Sequence, residues 1–225
     1  MKKYFIIAVT LFISTFGYSQ TVLITGFAPF GGEKINPSFE AVKGLPNEID
    51  GAKIIKKEIP VDFHGSVKEL DKLIIKYSPD IVINVGEAGG RSAVSVERVA
   101  INVDDARIAD NDGYQPHESK ISPKGDVAYF STLPISKIVE SMNKAGVPAN
   151  ISNTAGTYVC NHVMYHLLSL FASKYPNKIG GFIHVPYAPI QTIGKKGTPS
   201  MSILDATKAL QKAIEASIEI NSNES

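Results

Sequence analysis

Short runs of apolar, often β-branched residues alternate along this chain with stretches in which apolar residues recur every three or four positions. The runs Thr21–Thr25 (TVLIT), Lys53–Glu58, Ile81–Val85 (IVINV), Ala149–Ser152 and Gly180–Pro186 (GGFIHVP) predict strands. Helical spacing predicts helices over Ser38–Leu45, Ser66–Tyr77 and Pro134–Lys144, another that Cys160 opens and that carries Val163, Met164, Leu167, Leu168 and Phe171, and a last one from Ile203 to about Ile220. Their ends carry matching signals: Pro37 in a first turn, Pro79 and Gly146 as stops, and Ser202 as an N-cap with Asp205 three residues on. The apolar character of IVINV calls for cover on both faces. Alternation of this kind predicts a single α/β domain, a three-layer α/β/α sandwich around a mostly parallel, mixed sheet.

The segments between these elements break the pattern in informative ways. Gly26–Pro37 (GFAPFGGEKINP) places Phe27 and Phe30 in a glycine-rich loop, either as a plug over the core or as the apolar wall of a ligand pocket. Gly86–Arg91 (GEAGGR) follows a strand but matches neither the dinucleotide nor the P-loop spacing. Val94, Val96, Val99 and Ile101 predict a strand broken or bent near Glu97 and Arg98. That charged pair is either a solvated edge with a local contact or a carboxylate aimed into a site. Asp104–Gly125, rich in Asp, Pro, Gly and Asn, predicts a long irregular loop of the kind that forms lids and binding elements.

The chain ends add a location. Met1–Gln20 carries two lysines, an apolar run from Tyr4 to about Phe16 and then small residues, the layout of a secretory signal. Residues 1–19 read as that signal, with cleavage near 19/20, residues 20–220 as the folded domain and residues 221–225 as a disordered tail. This predicts an exported protein, periplasmic or secreted, with no stable membrane anchor after processing; a buried first strand or a membrane anchor is the competing account. Net charge is +1 with both signs scattered, so no footprint for nucleic acid is present. The single cysteine cannot form a disulfide within the chain, which asks for another reason for an exported thiol.

That cysteine, Cys160, stands where a small polar loop turns into a helix, a position expected to lower a thiol's pKa through the open N–H groups and the helix dipole. A small core hydrophobe is the plain alternative. Of five histidines, His162 and His166 sit four apart on the cysteine's helix, but Val163 stands where a zincin motif requires glutamate, so no metal site is read there. His64 and His117 lie in turns. His184, near the carboxyl end of a strand, is the best-placed base, and Glu97 is the one carboxylate embedded in an apolar strand. The candidate triad is Glu97, Cys160 and His184.

Several blocks of this sequence resemble the type I pyroglutamyl peptidases: TGFAPFGG (Thr25–Gly32), INP (Ile35–Pro37), GEAGGR (Gly86–Arg91), VERVAIN (Val96–Asn102), AGTYVCN (Ala155–Asn161) and GGFIHVPY (Gly180–Tyr187). The resemblance runs from about Thr21 through Leu210, and the family's glutamate, cysteine and histidine fall on the same three residues. It implies a cysteine peptidase that acts on N-terminally pyroglutamylated peptides, needs no metal or other cofactor, and forms a homo-oligomer. It further implies substrate contacts from Phe27, Phe30, Glu87, Tyr158 and Val159, with Arg91 similar to an arginine placed near the site. Two positions depart from the family pattern, Glu87 where glutamine is common and Tyr158 where phenylalanine is. The secretory signal is a third departure, since familiar bacterial members are cytoplasmic. The alternatives are a cysteine amidase or esterase of the same fold with another acyl group, and a non-catalytic binder of pyroglutamyl peptides.

Overall fold

The apolar runs assemble into one seven-stranded sheet flanked by helices on both faces. The structure, a computed structural model, describes residues 19–223; the expected secretory signal lies outside them except for Ser19 and Gln20. In chain order the elements are β1 (Thr21–Phe27), α1 (Pro37–Lys43), β2 (Glu48–Ile49), β3 (Ala52–Ile59), α2 (Phe63–Tyr77), β4 (Ile81–Glu87), β5 (Val94–Glu97), β6 (Val99–Ile101), β7 (Ala128–Phe130), α3 (Ile135–Lys144), β8 (Ala149–Ser152), α4 (Val159–Lys174), β9 (Ile179–Val185) and α5 (Ile203–Asn223). The strand order is β2-β3-β1-β4-β9-β5-β8, and β6 pairs with β7 apart from it. Strands β3, β1, β4 and β9 are parallel, whereas β5 runs antiparallel to β9. The sheet is therefore mostly parallel and mixed, as the alternation predicts.

Strands that are apolar on both sides feed two cores. Val22, Ile24, Ile81 and Ile83 lie with Val42, Ile138, Leu210 and Ile214 of α1, α3 and α5. Leu23, Val82 and Phe182 face the other way, onto Leu70, Leu73, Val163 and Leu167 of α2 and α4. The chain leaves β1 toward β3 and then crosses to β4 on the other side of β1. This reversal is the switch point at which open α/β sheets leave a crevice beyond their strand ends. Phe27 and Glu87 are the last residues of the two strands that border it.

Three details revise the sequence reading. Helix α2 begins at Phe63 rather than near Ser66, because Asp62 caps it by accepting from Gly65 N–H and Asp110 Oδ2 accepts the Phe63 N–H at 2.9 Å. His64 and Gly65 are therefore helical. Helix α5 continues through Asn223, three residues into the expected disordered tail; once its apolar face is docked, each added residue gains a backbone bond at little further cost. The third concerns the broken strand. Its halves, β5 and β6, diverge at Arg98, whose N–H donates to Ser152 O and whose C=O accepts from Ser131 N–H, both at 2.8 Å. Arg98 turns outward to Asn153, 2.8 Å away, while Glu97 is fully buried. The two charges are separated, and the carboxylate enters a site.

Candidate active site

His184 is held between two strands whose partners it needs. On β9 it lies opposite Gly86 of β4 in the parallel register and opposite Ser95 of β5 in the antiparallel one. Glu97, two residues beyond Ser95 on the same face, is a diagonal neighbour within reach of a long side chain. Its Oε1 is 2.8 Å from His184 Nδ1. The same oxygen accepts from Arg91 Nη1 at 2.7 Å, and Arg91 Nη2 donates to Thr154 O at 3.2 Å. Burial works against the Glu97 charge, but the hydrogen bond and charge of His184, with that of Arg91, hold its carboxyl below the ordinary range. An ionised Oε1 at this distance places the proton on Nδ1, so the neutral ring presents Nε2 as its basic nitrogen. Burial in turn pushes the His184 pKa down against the pull of Glu97, which keeps the ring neutral at neutral pH.

Cys160 is the second residue of α4, which packs across β9 and β4. A Cβ built on Gly86 would come within 3.0 Å of Cys160 Sγ and 2.9 Å of the Phe182 ring. The missing side chain is thus what lets the thiol reach the ladder position where His184 sits. Phe182 stacks its ring centroid 4.8 Å from His184 on the same face. Asn161 fixes the helix from its other side: Oδ1 accepts from Ile101 N–H at 3.0 Å, and Nδ2 donates to the carbonyls of Ile101 and Val103 at 2.9 and 3.0 Å. The cysteine helix and the strand after Glu97 are thereby tied together. The first helical bond runs from His162 N–H to Tyr158 O, which leaves the N–H groups before it without intrahelical acceptors.

The expected lowering of the thiol pKa is reversed. Burial, followed by the negative charges of Glu97 and Glu87, pushes Cys160 up to about 12, outweighing Arg91 and the backbone N–H. Burial strips the thiolate of solvent, which the partial charge of a helix start does not make good, and the two carboxylates add to the cost. At rest the Cys160 thiol and the His184 imidazole are both neutral.

Cys160 opens onto a cavity of about 280 Å³ walled by Phe27, Phe30, Val61, Tyr158 and Val159, with Glu87, Asn36, Arg107 and Tyr187 at its polar positions. Phe27 is both core and wall, being almost fully buried and packed 6.3 Å from the Phe182 ring. Tyr158 stacks on Phe30 and Phe63, and its hydroxyl donates to Ala109 O at 3.0 Å. That hydroxyl is occupied in fastening the Asp104–Gly125 segment over the site, so the cavity sees an aromatic face. Asn36 caps α1 through Ser38 N–H and donates to Ala28 O, which shapes the Gly26–Pro37 loop.

A family model described as pyroglutamyl peptidase matches residues 20–220. The chain belongs to the pyroglutamyl peptidase family. It is 54% identical over 202 residues to the pyrrolidone-carboxylate peptidase of Clostridium botulinum, covering 90% of this chain and 95% of that one. It is 56% identical over 194 residues to the enzyme of the same name from Thermosipho melanesiensis, covering 86% and 96%. Among solved structures, pyroglutamyl peptidase I from Bacillus amyloliquefaciens superposes with a TM-score of 0.86 at 48% identity, over 89% of this chain and 95% of that one. A mutant pyrrolidone carboxyl peptidase from Pyrococcus furiosus gives 0.86 at 47%, over 89% and 99%.

Within this pyroglutamyl peptidase fold the sequence-derived residues separate into two groups. Phe27, Phe30, Glu87, Tyr158, Val159 and Cys160 line the cavity together, while Arg91 does not; it stands behind Glu97 and faces a separate surface depression. Arg107, Tyr187 and Gln191 were not singled out from sequence. Gln191 is reached only through Glu87, whose Oε2 accepts from its Nε2 at 2.7 Å. His162 and His166 turn to different carboxylates, Asp104 and Asp71, each at 2.8 Å. Among the described residues no group of three or more His, Cys, Asp or Glu could hold a metal ion, and no helix is long and apolar enough to cross a membrane.

Proposed function

We infer that the chain is a cysteine peptidase that removes an N-terminal pyroglutamyl residue from peptides. The observation that carries this reading is the seating of the Cys160 thiol against Gly86, the ladder partner of His184, at the edge of an apolar cavity. In the proposed reaction His184 Nε2 takes the thiol proton as Sγ attacks the carbonyl carbon, since neither group is charged beforehand. The open N–H groups at the start of α4 stabilise the oxyanion. The imidazolium, balanced by the Glu97 carboxylate, then gives its proton to the leaving amine, and water hydrolyses the thioester. Phe27, Phe30, Tyr158 and Val159 suit the flat, uncharged lactam ring, and Glu87 accepts its N–H. Arg91 is a positioning residue, holding Glu97 ionised.

Amine release from a pyroglutamyl amide, compared with the open-chain glutamyl and glutaminyl amides, tests the reading. A preference for the lactam of at least about 100-fold is expected, because a buried acceptor left unpaired penalises the wrong acyl group. Faster turnover of an open-chain amide would favour the amidase alternative, and turnover of none would favour the binder. The lysine-tipped apolar leader Met1–Gln20 supports export. Intact-mass measurement of protein recovered from producing cells should give a chain that starts near Gln20, and a retained Met1 would overturn that part.

A further inference from the structure

We propose that the same cavity accepts an unblocked N-terminal proline, so that the chain also releases proline from prolyl peptides and amides. The inference rests on the reading of the cavity given above and turns on the chemistry of Glu87. Proline carries the same five-membered ring, attached to the scissile carbonyl at the same carbon as pyroglutamate. It differs in two ways: the ring carbonyl is a methylene, and the ring nitrogen is a secondary ammonium with two N–H donors.

Glu87 is built for such a donor. Its Oε2 is committed to Gln191 Nε2 at 2.7 Å, and the orientation of that amide is fixed because Gln191 Oε1 accepts the Ala188 N–H at 2.8 Å. Gln191 is itself 4% exposed. Oε1 of Glu87 has no partner among the described residues and is not sealed off, so the cavity is where it finds one. A lactam N–H needs only a neutral acceptor, whereas a secondary ammonium brings the carboxylate a positive charge as well as a donor. Burial and the charge of Glu33 raise the Glu87 pKa, against the Gln191 bond and the more distant Lys195, so among the described residues no cation pairs with the carboxylate directly as a bound ammonium would. Lys195 is shared with Glu33 at 3.4 Å, and Arg107, the cation on the cavity wall, is not among the charges acting on Glu87. The aromatic faces of Phe27, Phe30 and Tyr158 fit the ring methylenes and tolerate the adjacent charge.

The reaction needs no new machinery. The Cys160 sulfur–carbon bond forms as the prolyl carbon–nitrogen bond breaks, the thiol proton passes through His184 to the leaving amine, and water then cleaves the thioester to free proline and restore the thiol. The full chain, kept reduced, is assayed on the prolyl and pyroglutamyl amides of one fluorogenic amine, with Cys160→Ala as the blank. Prolyl turnover above the blank is expected. Glu87→Gln should lower the prolyl-to-pyroglutamyl ratio of kcat/KM by roughly tenfold or more. Pyroglutamyl turnover with no prolyl turnover, or an unchanged ratio, overturns the proposal and leaves the parent reading standing; turnover of neither overturns both. A second measurement needs no variant: L-prolinamide should inhibit the wild type at least about tenfold more tightly than cyclopentanecarboxamide, which lacks the ring nitrogen. Equal or weaker inhibition counts against the proposal.

Discussion

Exchange of Cys160 for alanine is expected to lower kcat/KM on a pyroglutamyl amide by on the order of 10⁵-fold while the fold persists. The cavity offers no substitute nucleophile. Two tyrosines line it, Tyr158 and Tyr187, and the Tyr158 hydroxyl is bonded to Ala109 O and held protonated, pushed up to about 12 by burial and by the charge of Asp110. What survives is binding, the N–H groups at the helix start and a base able to direct water, which accounts for a residual rate above the uncatalysed one. Deleting the sulfur removes its packing against Gly86 and should cost only about 1 kcal/mol. Initial rates alongside a thermal melt check both halves. A variant that keeps its melting temperature and loses less than about 100-fold in rate would place the nucleophile elsewhere.

A neutral resting couple also changes what the helix start is for. Had the thiol been ionised in advance, the N–H groups before His162 would stabilise a thiolate in the ground state, which does not accelerate the step. In the proposed reaction, with Cys160 held protonated by burial and by Glu97 and Glu87, those groups are left to act on the oxyanion. On this reading Glu97 serves two ends, raising the cost of a thiolate before reaction and lowering that of an imidazolium during it.

How far the sequence could go depended on how local each cause was. Glu97 was legible because a charge inside the run VSVERVAIN contradicts its surroundings, and only the divergence of β5 and β6 at Arg98 decides which charge turns inward. His184 and Cys160 were legible from strand-end and helix-start positions. Gly86 was not, since its role depends on which strand lies beside β9 and which helix crosses there. The partner of Arg91 was not legible for the same reason: residues six apart in sequence meet across a turn, and its guanidinium reaches Glu97 rather than the cavity. Strand β7, three residues with exposed Phe130, pairs only with β6 and carries no apolar periodicity to read. The thiol pKa was not legible because a helix start is a local signal, while the burial that overrules it and the carboxylates that add to it come from packing against β4 and β5.

The second large effect expected is at Glu97, where Glu97→Gln should lower kcat by roughly 10³- to 10⁴-fold with KM for a pyroglutamyl amide changed less than about threefold. The glutamine keeps the volume and can keep one hydrogen bond to His184 Nδ1, so the ring stays near its place. Its amide can also donate, which favours the tautomer with the proton on Nε2 and removes the base from the thiol. Arg91 Nη1 donates to the same oxygen that faces the ring, so it opposes that turn of the amide, and the lost counter-charge carries the rest of the effect. The imidazolium that forms during attack then lacks its counter-charge in a site where His184 is already 3% exposed and biased toward neutrality by burial. The residues proposed to contact substrate, Phe27, Phe30 and Glu87, line the cavity, which Glu97 does not. A fall confined to KM would mean that Glu97 positions substrate rather than the ring. The pH profile adds a readout that packing alone would not move: losing a partner that raises the His184 pKa shifts the acidic limb of kcat to lower pH, and an unmoved limb would separate Glu97 from the titration of the base.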